Sequence, residues 1–260
     1  MTILKSYRPW DESDIIVKNV PHALSNEVYQ VIHKETKEMV LVRLYLDRER
    51  AKTLDLNIPK EMGDLGLGPR ILSTCPEGSC EEWINGRTMT YSEMMSEEYS
   101  NKLARAVKTL HGARITHGDL HHNNMMIDEN NNVRLIDFEY AKRNSTDIDI
   151  AKDLANHFCE CMYDYGSDDW HIPRPLGDQL EPHSMRFMTT YYSPEVPPQD
   201  CLSIIFAQNY DIHVKWVRWG LDYYEATSEQ KYLDYAIARA RMDPDVMATF
   251  SKEAKWQAHL

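Results

Sequence analysis

The most informative part of this chain reads HGDLHHNN at residues 117–124 and LIDFE at residues 135–139. It places a carboxylate at Asp119, an amide at Asn124 and a second carboxylate at Asp137. Residues 125–127 and 133–136 are predicted to form two short strands, and the polar run at residues 128–132 is typical of a hairpin turn. Any of these polar residues alone could belong to a coincidental loop, but their order and context favour a single site.

The three side chains match the requirements of phosphoryl transfer. One carboxylate can orient and deprotonate a hydroxyl, and two oxygen ligands can hold Mg²⁺ on ATP. Asp119 is the candidate catalytic base, while Asn124 and Asp137 are the candidate metal ligands. The pattern therefore predicts a phosphotransferase site that uses ATP and Mg²⁺.

Composition limits the classes of partner. The chain has 260 residues, of which 42% are hydrophobic and 27% charged, as is ordinary for a globular protein. Its net charge of −12 argues against a nucleic-acid partner, because phosphate neutralisation requires clustered Lys and Arg. Five cysteines without a paired C-x-x-C spacing favour neither a disulfide framework nor a zinc site. No window approaches the ~20 apolar residues of a membrane span, so a cytoplasmic protein is expected.

The sequence pattern changes character near residue 86. Before it, strand-like runs occupy residues 28–32, 39–45, 69–72 and 82–84, and after it the chain is predicted to be mainly helical. A helix is expected from about residue 48 to residue 56, ending before Pro59. The expected fold is α+β and bilobal, with an antiparallel-sheet N-lobe at residues 1–85 and a helical C-lobe at residues 86–260.

A kinase N-lobe needs a cation that reaches the phosphates and a loop that covers them. Arg43, alone on an apolar strand, is the candidate cation; an arginine that faces solvent from an edge strand is the open alternative. The connector at residues 21–26 precedes the first predicted strand, where the Ser25 hydroxyl and backbone amides can approach phosphate oxygens. This connector lacks glycine, which makes close backbone approach harder.

Residues downstream of Asp137 carry a family resemblance. The stretches DFEY at residues 137–140 and DLANHFCECMYDY at residues 153–165 resemble eukaryotic choline/ethanolamine kinases. The stretches WVRWG at residues 216–220 and YLDYAIAR at residues 232–239 resemble that family's paired-tryptophan helix and the tyrosine helix that follows. Shorter stretches at residues 24–26, 41–45, 67–69 and 82–84 recur in the family's order.

The resemblance implies a protein-kinase-like fold and a reaction. That reaction is transfer of the ATP γ-phosphate to the hydroxyl of choline or ethanolamine, as in phospholipid biosynthesis. A homodimer is also compatible with the family. Asp119 resembles the catalytic base, with Asn124 beside it in the catalytic loop, and Asn124 and Asp137 resemble the metal ligands. Glu139 resembles a further carboxylate at the metal site.

The resemblance also implies contacts to ATP. Arg43 resembles the phosphate contact, and Glu49 is the candidate helix glutamate that pairs with it, with Asp55 and Glu61 as rivals. The remaining implied contacts are Ser25 and Asn26 in the phosphate-covering loop and Glu82, Trp83 and Ile84 in the hinge whose backbone holds adenine.

The acceptor pocket has a physical rationale of its own. A quaternary ammonium cannot donate a conventional hydrogen bond, so it is held by aromatic faces through cation–π attraction with a carboxylate nearby. Trp216 and Trp219 are three residues apart and would share one helix face. The other cage positions implied by the resemblance are Tyr140, Glu160, Tyr165 and Tyr235. The open alternative is that these aromatic side chains belong to the core.

Several features depart from the family pattern. A segment of some tens of residues before the catalytic loop is missing, Cys161 stands where the family usually has Trp, and Gln230 occupies an aromatic position. The shortened region resembles aminoglycoside phosphotransferases, so a kinase for another small molecule such as an aminoglycoside remains an alternative. A non-catalytic regulatory module on the same fold is the third hypothesis.

Overall fold

A computed structural model describes residues 2–20, 26–46, 54–176 and 179–251. Contacts between Cα atoms divide the chain into two units, one formed by Met1–Arg87 with Met126–Glu139 and the other by Thr88–Met125 with Tyr140–Leu260. The N-terminal region contains an antiparallel sheet and the C-terminal region is helical, so the expected α+β class is confirmed. The division into lobes at residues 85 and 86 stays a prediction.

A five-stranded antiparallel sheet dominates the first unit. Its strands are β1 (Ile15–Asn19), β2 (Asn26–His33), β3 (Met39–Tyr45), β4 (Ile71–Cys75) and β5 (Gly78–Glu82), in the spatial order β1-β2-β3-β5-β4. Helix α1 (Thr2–Tyr7) packs against β4 and β5, and helix α2 (Asn57–Asp64) precedes β4. The strand β3 is therefore central in the sheet.

One face of this sheet forms the core of the first unit. Val40 and Val42 alternate along β3 and are each 1% exposed, which is the period expected for a half-buried strand. They cluster with Val31 of β2, Cys80 of β5 and residues of α1. Because successive side chains of a strand point to opposite faces, Leu41 and Arg43 lie on the other face of β3.

Two predicted strands are displaced in the structure. The run at residues 69–72 begins only at Ile71, and the run at residues 82–84 is the end of β5, which starts at Gly78. A Cβ atom at Gly78 would lie 1.9 Å from the carbonyl oxygen of Arg43, so this glycine allows β5 to approach β3. Because Ser79 and Glu81 are polar, this part of the sequence lacks the apolar pattern expected of a buried strand.

The predicted helix at residues 48–56 is wrong for the part that the structure describes. Residues 47–53 lie outside the described ranges, and residues 54–56 are not helical. The helix in this region is α2, which includes Pro59 in its first turn. Proline is tolerated there because the N–H groups of the first turn have no partner within the helix.

The hairpin predicted after the loop at residues 117–124 is confirmed. A three-stranded sheet has the order β6-β8-β9, formed by β6 (Gly86–Thr88), β8 (Met125–Asp128) and β9 (Val133–Leu135). The Asp128 side chain accepts hydrogen bonds from the backbone N–H groups of Asn130 and Asn132 at 3.0 and 2.8 Å. Such contacts are how aspartate stabilises a turn.

Helices build the second unit. They are α3 (Tyr91–Met95), α4 (Glu97–Gly112), α5 (Asp147–Glu160), α6 (Leu180–Tyr192), α7 (Cys201–Phe206), α8 (Asn209–Thr227), α9 (Gln230–Arg241) and α10 (Pro244–Phe250), with a short pair of strands, β7 (Ile115–Thr116) and β10 (Lys142–Arg143). A capping box between Thr146 and Asp149 begins α5. Among the described residues, no helix is both long and apolar enough to cross a membrane.

Helices α8 and α9 pack closely on each other. A Cβ atom at Gly220 would lie 2.9 Å from the carbonyl oxygen of Tyr232, so the glycine permits this approach. Val217 and Ala236 are fully buried beneath the contact, together with residues of α10. This packing fixes the orientation of the paired-tryptophan helix relative to the tyrosine helix.

Candidate active-site residues

A cleft of about 610 Å³, open to solvent, lies within the first unit. Four of the predicted ATP and metal residues line it, namely Asn26, Arg43, Asp137 and Glu139. Asp55, one of the rivals for the pairing with Arg43, lines the same cleft. Two further candidates, Ser25 and Glu49, lie outside the described residues.

Arg43 projects from the central strand and not from an edge. Its register partner on β5 is Ser79, so Glu81, two residues further along, lies on the same face of the sheet. Arg43 Nε donates a hydrogen bond to Glu81 Oε1 at 3.1 Å, and Nη1 lies 3.6 Å from Asp137 Oδ1. The Arg43 side chain is only 16% exposed, which rules out the solvent-facing alternative.

Charge compensation keeps Arg43 protonated. Burial lowers the pKa of its guanidinium, but the charges of Glu81 and then Asp137 outweigh this and raise it above the usual value. Ser79 Oγ donates a second hydrogen bond to Glu81 Oε1, at 2.6 Å. The arginine therefore presents a fixed positive charge in the cleft.

Glu81 was not among the residues predicted from the sequence. Its carboxylate is 5% exposed and is one of the two ion-pair partners that the described residues supply to Arg43. An acidic residue on a buried strand was a usable signal, because Asp and Glu are almost never fully buried unless they are paired. Identifying Arg43 as the partner still required the register between β3 and β5.

Asp137 adopts an unusual backbone conformation. Its φ angle of +65° lies in the left-handed region, which is uncommon for residues other than glycine and is tolerated by Asp. Such conformations cost about 1–3 kcal/mol and cluster at functional sites. The turn of 3-10 helix at Phe138–Tyr140 follows directly and contains Glu139. Two carboxylates thus reach the cleft from one tight turn.

The predicted hinge residues follow the end of β5. Glu82 is the last residue of the strand, and its Oε2 accepts a hydrogen bond from the backbone N–H of Arg70 at 3.0 Å. Ile84 is 7% exposed and Trp83 is half-buried. The carboxylate of Glu82 is therefore engaged by the chain, and a contact to adenine would involve the backbone of these residues. Their role stays a prediction.

In the second unit, Asp119 is held by its neighbours in the catalytic loop. Asn124 Nδ2 donates to the Asp119 carbonyl oxygen at 3.1 Å and to Oδ2 at 2.9 Å. His121 Nε2 lies 3.4 Å from the same Oδ2. Burial raises the pKa of Asp119, but the charge and hydrogen bond of His121, followed by Lys215, lower it below its usual value. Asp119 is therefore an ionised carboxylate that can accept a hydrogen bond.

Asp153 of α5 fixes the backbone that leads into Asp119. Its Oδ2 accepts from the His117 N–H at 2.8 Å, and its Oδ1 accepts from the Gly118 N–H at 2.7 Å. His111 Nε2 lies 3.1 Å from Oδ2, and Asp153 is 3% exposed. No role for Asp153 was predicted from the sequence, because two of its partners are backbone N–H groups, which the residue pattern does not reveal.

Gly118 is required by the same loop. Its φ angle is +80°, and a Cβ atom at this position would lie 2.7 Å from the carbonyl oxygen of Tyr140. Only glycine adopts this conformation without strain, and only glycine leaves room for the neighbouring chain. The loop is thus set close to Tyr140.

His122 has a structural function in this region. Its Nε2 accepts from the backbone N–H of Tyr165 at 2.9 Å, and its Nδ1 lies 3.2 Å from the Met89 carbonyl oxygen. Burial is the main cause that lowers the His122 pKa, to about 4. The imidazole is therefore neutral and links the catalytic loop to the segment that carries Tyr165.

Four of the predicted cage residues form a continuous series of ring contacts. The ring centroids of Tyr140 and Trp216 are 5.9 Å apart, those of Trp216 and Trp219 are 6.0 Å apart, and those of Trp219 and Tyr235 are 5.6 Å apart. The Tyr165 hydroxyl lies 3.3 Å from the Tyr235 hydroxyl. The second unit therefore brings the predicted aromatic residues together.

Some rings of this cluster are buried in the core, and others are exposed enough to contact a ligand. Trp216 is 6% exposed and its Nε1 donates to Asn156 Oδ1 at 2.8 Å, while Tyr235 is 1% exposed. These two rings are therefore largely buried. Trp219 and Tyr140 are half-buried and supply the accessible part of the cluster.

A buried ion pair lies behind the aromatic cluster. Arg239 and Glu160 are both 0% exposed, and Arg239 Nη2 lies 2.5 Å from Glu160 Oε1. The Tyr165 hydroxyl donates to Glu160 Oε2 at 2.5 Å. The Arg239 guanidinium carbon lies 3.9 Å from the Tyr163 ring centroid. Glu160, predicted to offset a substrate charge, is therefore already neutralised by the chain.

Lys215, which precedes the paired tryptophans, was also missed. Its Nζ donates to the Gly118 carbonyl oxygen at 2.6 Å. The same atom lies 4.4 Å from the Tyr140 ring centroid and 4.2 Å from the Trp216 ring centroid. The direction in which the Lys215 side chain points depends on how α8 is rotated about its axis. The sequence pattern does not predict that rotation for a single lysine.

Comparison with known proteins gives consistent matches. A family model described as choline/ethanolamine kinase matches residues 17–116 and 113–243. Over 305 residues the chain is 24% identical to probable choline kinase 2 of Arabidopsis thaliana, covering 85% of this chain and 84% of that protein. It is 30% identical over 282 residues to the choline/ethanolamine kinase of Rattus norvegicus, covering 77% and 70%.

Solved structures with the same fold include two kinases of parasites. Choline kinase from Cryptosporidium parvum superposes with a TM-score of 0.73 at 19% identity, covering 96% of this chain and 94% of that one. Plasmodium vivax ethanolamine kinase superposes with a TM-score of 0.66 at 16% identity, covering 91% and 84%. At these identities the likeness concerns the fold.

Proposed function

Because this chain belongs to the choline/ethanolamine kinase family, we propose that it transfers the γ-phosphate of ATP, with Mg²⁺, to the hydroxyl of choline, ethanolamine or a closely similar amino alcohol. Family membership makes the chain a phosphotransferase with an alcohol group as acceptor. The observation that best supports ATP as the donor is the cleft shared by Arg43, Asp137 and Glu139. This cleft combines a fixed cation with carboxylates, the groups that would meet the phosphates of ATP and its Mg²⁺.

The donor atoms in this cleft fit Mg²⁺. Asp137 and Glu139 offer carboxylate oxygens, the ligand type that Mg²⁺ prefers. In the other unit, Asn124 donates its amide nitrogen to Asp119 and keeps an amide oxygen for the metal-ligand role that the family resemblance implies. When bound, Mg²⁺ would neutralise charge on the β- and γ-phosphate oxygens. Arg43 would add a second positive contact to the phosphates, held in place by Glu81.

Asp119 would orient the acceptor hydroxyl and accept its proton. Asn124 holds the carboxylate through Oδ2, and Asp153 fixes the two preceding backbone N–H groups. In phosphoryl transfer, catalysis depends mainly on such positioning and on charge stabilisation. The loop therefore has the geometry of a base that needs little rearrangement before reaction.

The direct test is to incubate the purified protein with ATP, Mg²⁺ and a panel of acceptors. The panel contains choline, ethanolamine, the methylated intermediates between them and an aminoglycoside. ADP release and the product mass are measured. Phosphocholine or phosphoethanolamine would support the proposal, whereas product from the aminoglycoside alone would reject the amino-alcohol acceptor. ATP binding without ADP release for any acceptor would favour a regulatory module.

Replacing Arg43 with Met is expected to weaken ATP binding by about tenfold or more, because a charge-assisted contact to phosphate is lost. Binding of ATP with Mg²⁺ is measured by titration calorimetry. The matched control is Arg70→Met, since Arg70 also pairs with a glutamate of β5 but its side chain is 66% exposed. Equal ATP affinity in the Arg43 variant and the wild type would remove Arg43 from the phosphate site.

Two further expectations follow from the family. The family resemblance is compatible with a homodimer, and we expect a cytoplasmic location for this chain. Light scattering coupled to size-exclusion chromatography would decide the first, and imaging of the tagged full-length chain in its native cell would decide the second.

A further inference from the structure

The ammonium of Lys215 lies against aromatic rings that would otherwise contact the positively charged nitrogen of the proposed acceptor. Its Nζ is 4.4 Å from the Tyr140 centroid and 4.2 Å from the Trp216 centroid, both within the range of cation–π attraction. The donated hydrogen bond to the Gly118 carbonyl holds the ammonium one residue from Asp119. Lys215 therefore occupies the position at which an aromatic cage normally binds a cation of the ligand.

The carboxylates of this region are already compensated. Glu160 is paired with Arg239, and Asp153 accepts two backbone N–H groups and faces His111. Asp119 is engaged by Asn124 and His121. A second permanent cation on the same rings would therefore meet repulsion from Lys215.

On the basis of the proposed function, we propose that Lys215 determines acceptor specificity by occupying the cation position on the Tyr140 and Trp216 faces. It would disfavour acceptors with a quaternary ammonium and favour amino alcohols whose nitrogen can be neutral. Ethanolamine is protonated near neutral pH, but its primary ammonium can release a proton to solvent on binding, and the neutral amine then has a lone pair that accepts a hydrogen bond from the Lys215 ammonium. A quaternary nitrogen has neither a lone pair nor an N–H group, so it gains nothing from Lys215 and is repelled by it.

Two opposing influences act on the charge of Lys215. Burial is the larger and lowers the pKa of its ammonium below the usual value, while the charges of Asp119, Asp153 and Glu160 limit this shift. The hydrogen bond to the Gly118 carbonyl oxygen and the contacts with the two rings hold the ammonium at this position. The cation is therefore a fixed part of the pocket.

The first test compares a primary amino alcohol with its quaternary, trimethylated analogue. In the wild type, kcat/KM for ethanolamine should exceed that for choline by about tenfold or more, and Lys215→Met should shift this ratio toward choline by about tenfold. Lys215→Arg keeps the charge and should keep the wild-type ratio. The control Lys102→Met removes a lysine that lies 5.0 Å from the Tyr99 centroid and should leave the ratio unchanged. An unchanged ratio in Lys215→Met would overturn the proposal.

A binding measurement separates this inference from the proposed function. Choline and 3,3-dimethylbutan-1-ol have the same shape, but only choline is charged. By tryptophan fluorescence, the wild type should bind the neutral alcohol more tightly than choline, and Lys215→Met should reverse this order. The same order in both proteins would refute the role of Lys215 even if ADP is formed. The expected reversal would support it even if no acceptor is phosphorylated, and the absence of phosphorylation would count only against the kinase. Lys215→Gln is a second neutral variant if the methionine variant does not fold.

Discussion

Replacing Asp119 with Asn is expected to lower kcat by about 10²- to 10⁴-fold, the usual contribution of a general base. Asn has nearly the same shape and keeps an oxygen that can accept the hydrogen bond from Asn124 Nδ2. It cannot take the acceptor proton, and it removes the negative charge beside Lys215 and His121. The loss should therefore appear in kcat while ATP affinity stays within about twofold.

The measurement combines steady-state kinetics with calorimetric ATP titration on the same preparations. Asp147→Asn is the control, because Asp147 lies in the same unit with a side chain that is 93% exposed. Its kcat should match the wild type. Full turnover in the Asp119 variant would show that another group orients and deprotonates the acceptor.

Replacing Asp153 with Ala is expected to lower the free energy of unfolding by about 3–5 kcal/mol, the cost of breaking a buried charged pair. The change would leave the His117 and Gly118 N–H groups without their acceptor and would remove the partner of His111. Urea unfolding measures the loss, and Asp147→Ala on the exposed surface should stay within about 0.5 kcal/mol of the wild type. A loss below 1 kcal/mol would mean that water replaces the carboxylate.

Lowering the pH should remove the contribution of Asp153 to the free energy of unfolding. Burial raises the pKa of Asp153, but its hydrogen bond with His111 and the charges of His111 and His117 outweigh this and lower it. A folded-state pKa below the unfolded value means that the stabilisation is complete above the unfolded pKa and is lost as pH falls through the folded pKa. The Asp153→Ala variant should therefore lose less stability than the wild type between neutral and acidic pH.

The sequence predicted local chemistry better than it predicted partners. Asp119 and Asn124 are close in the chain, so their contact could be anticipated from spacing alone. Arg43 stood out as a lone charge on an apolar strand. Its partner Glu81 is 38 positions away in the sequence, and their pairing depends on the register between β3 and β5. A register of this kind is set by the whole sheet and not by the residues that it brings together.

Helix rotation and backbone contacts account for the other omissions. Lys215 and Trp216 are adjacent in sequence, yet the direction of Lys215 depends on how α8 packs against α9. Asp153 acts through backbone N–H groups that any residue could supply. Pro59 misled the prediction of α2, because proline both ends helices and begins them.

The pair of Glu160 and Arg239 bears on the sensitivity of the aromatic cluster to ionic strength. Both side chains are inaccessible to solvent, so dissolved ions cannot screen their attraction as they screen exposed charges. The Tyr165 hydroxyl is anchored to this pair and in turn contacts Tyr235. The aromatic cluster should therefore keep its position from dilute buffer to molar salt, whereas the exposed pair of Arg114 and Asp147 should dissociate over the same range.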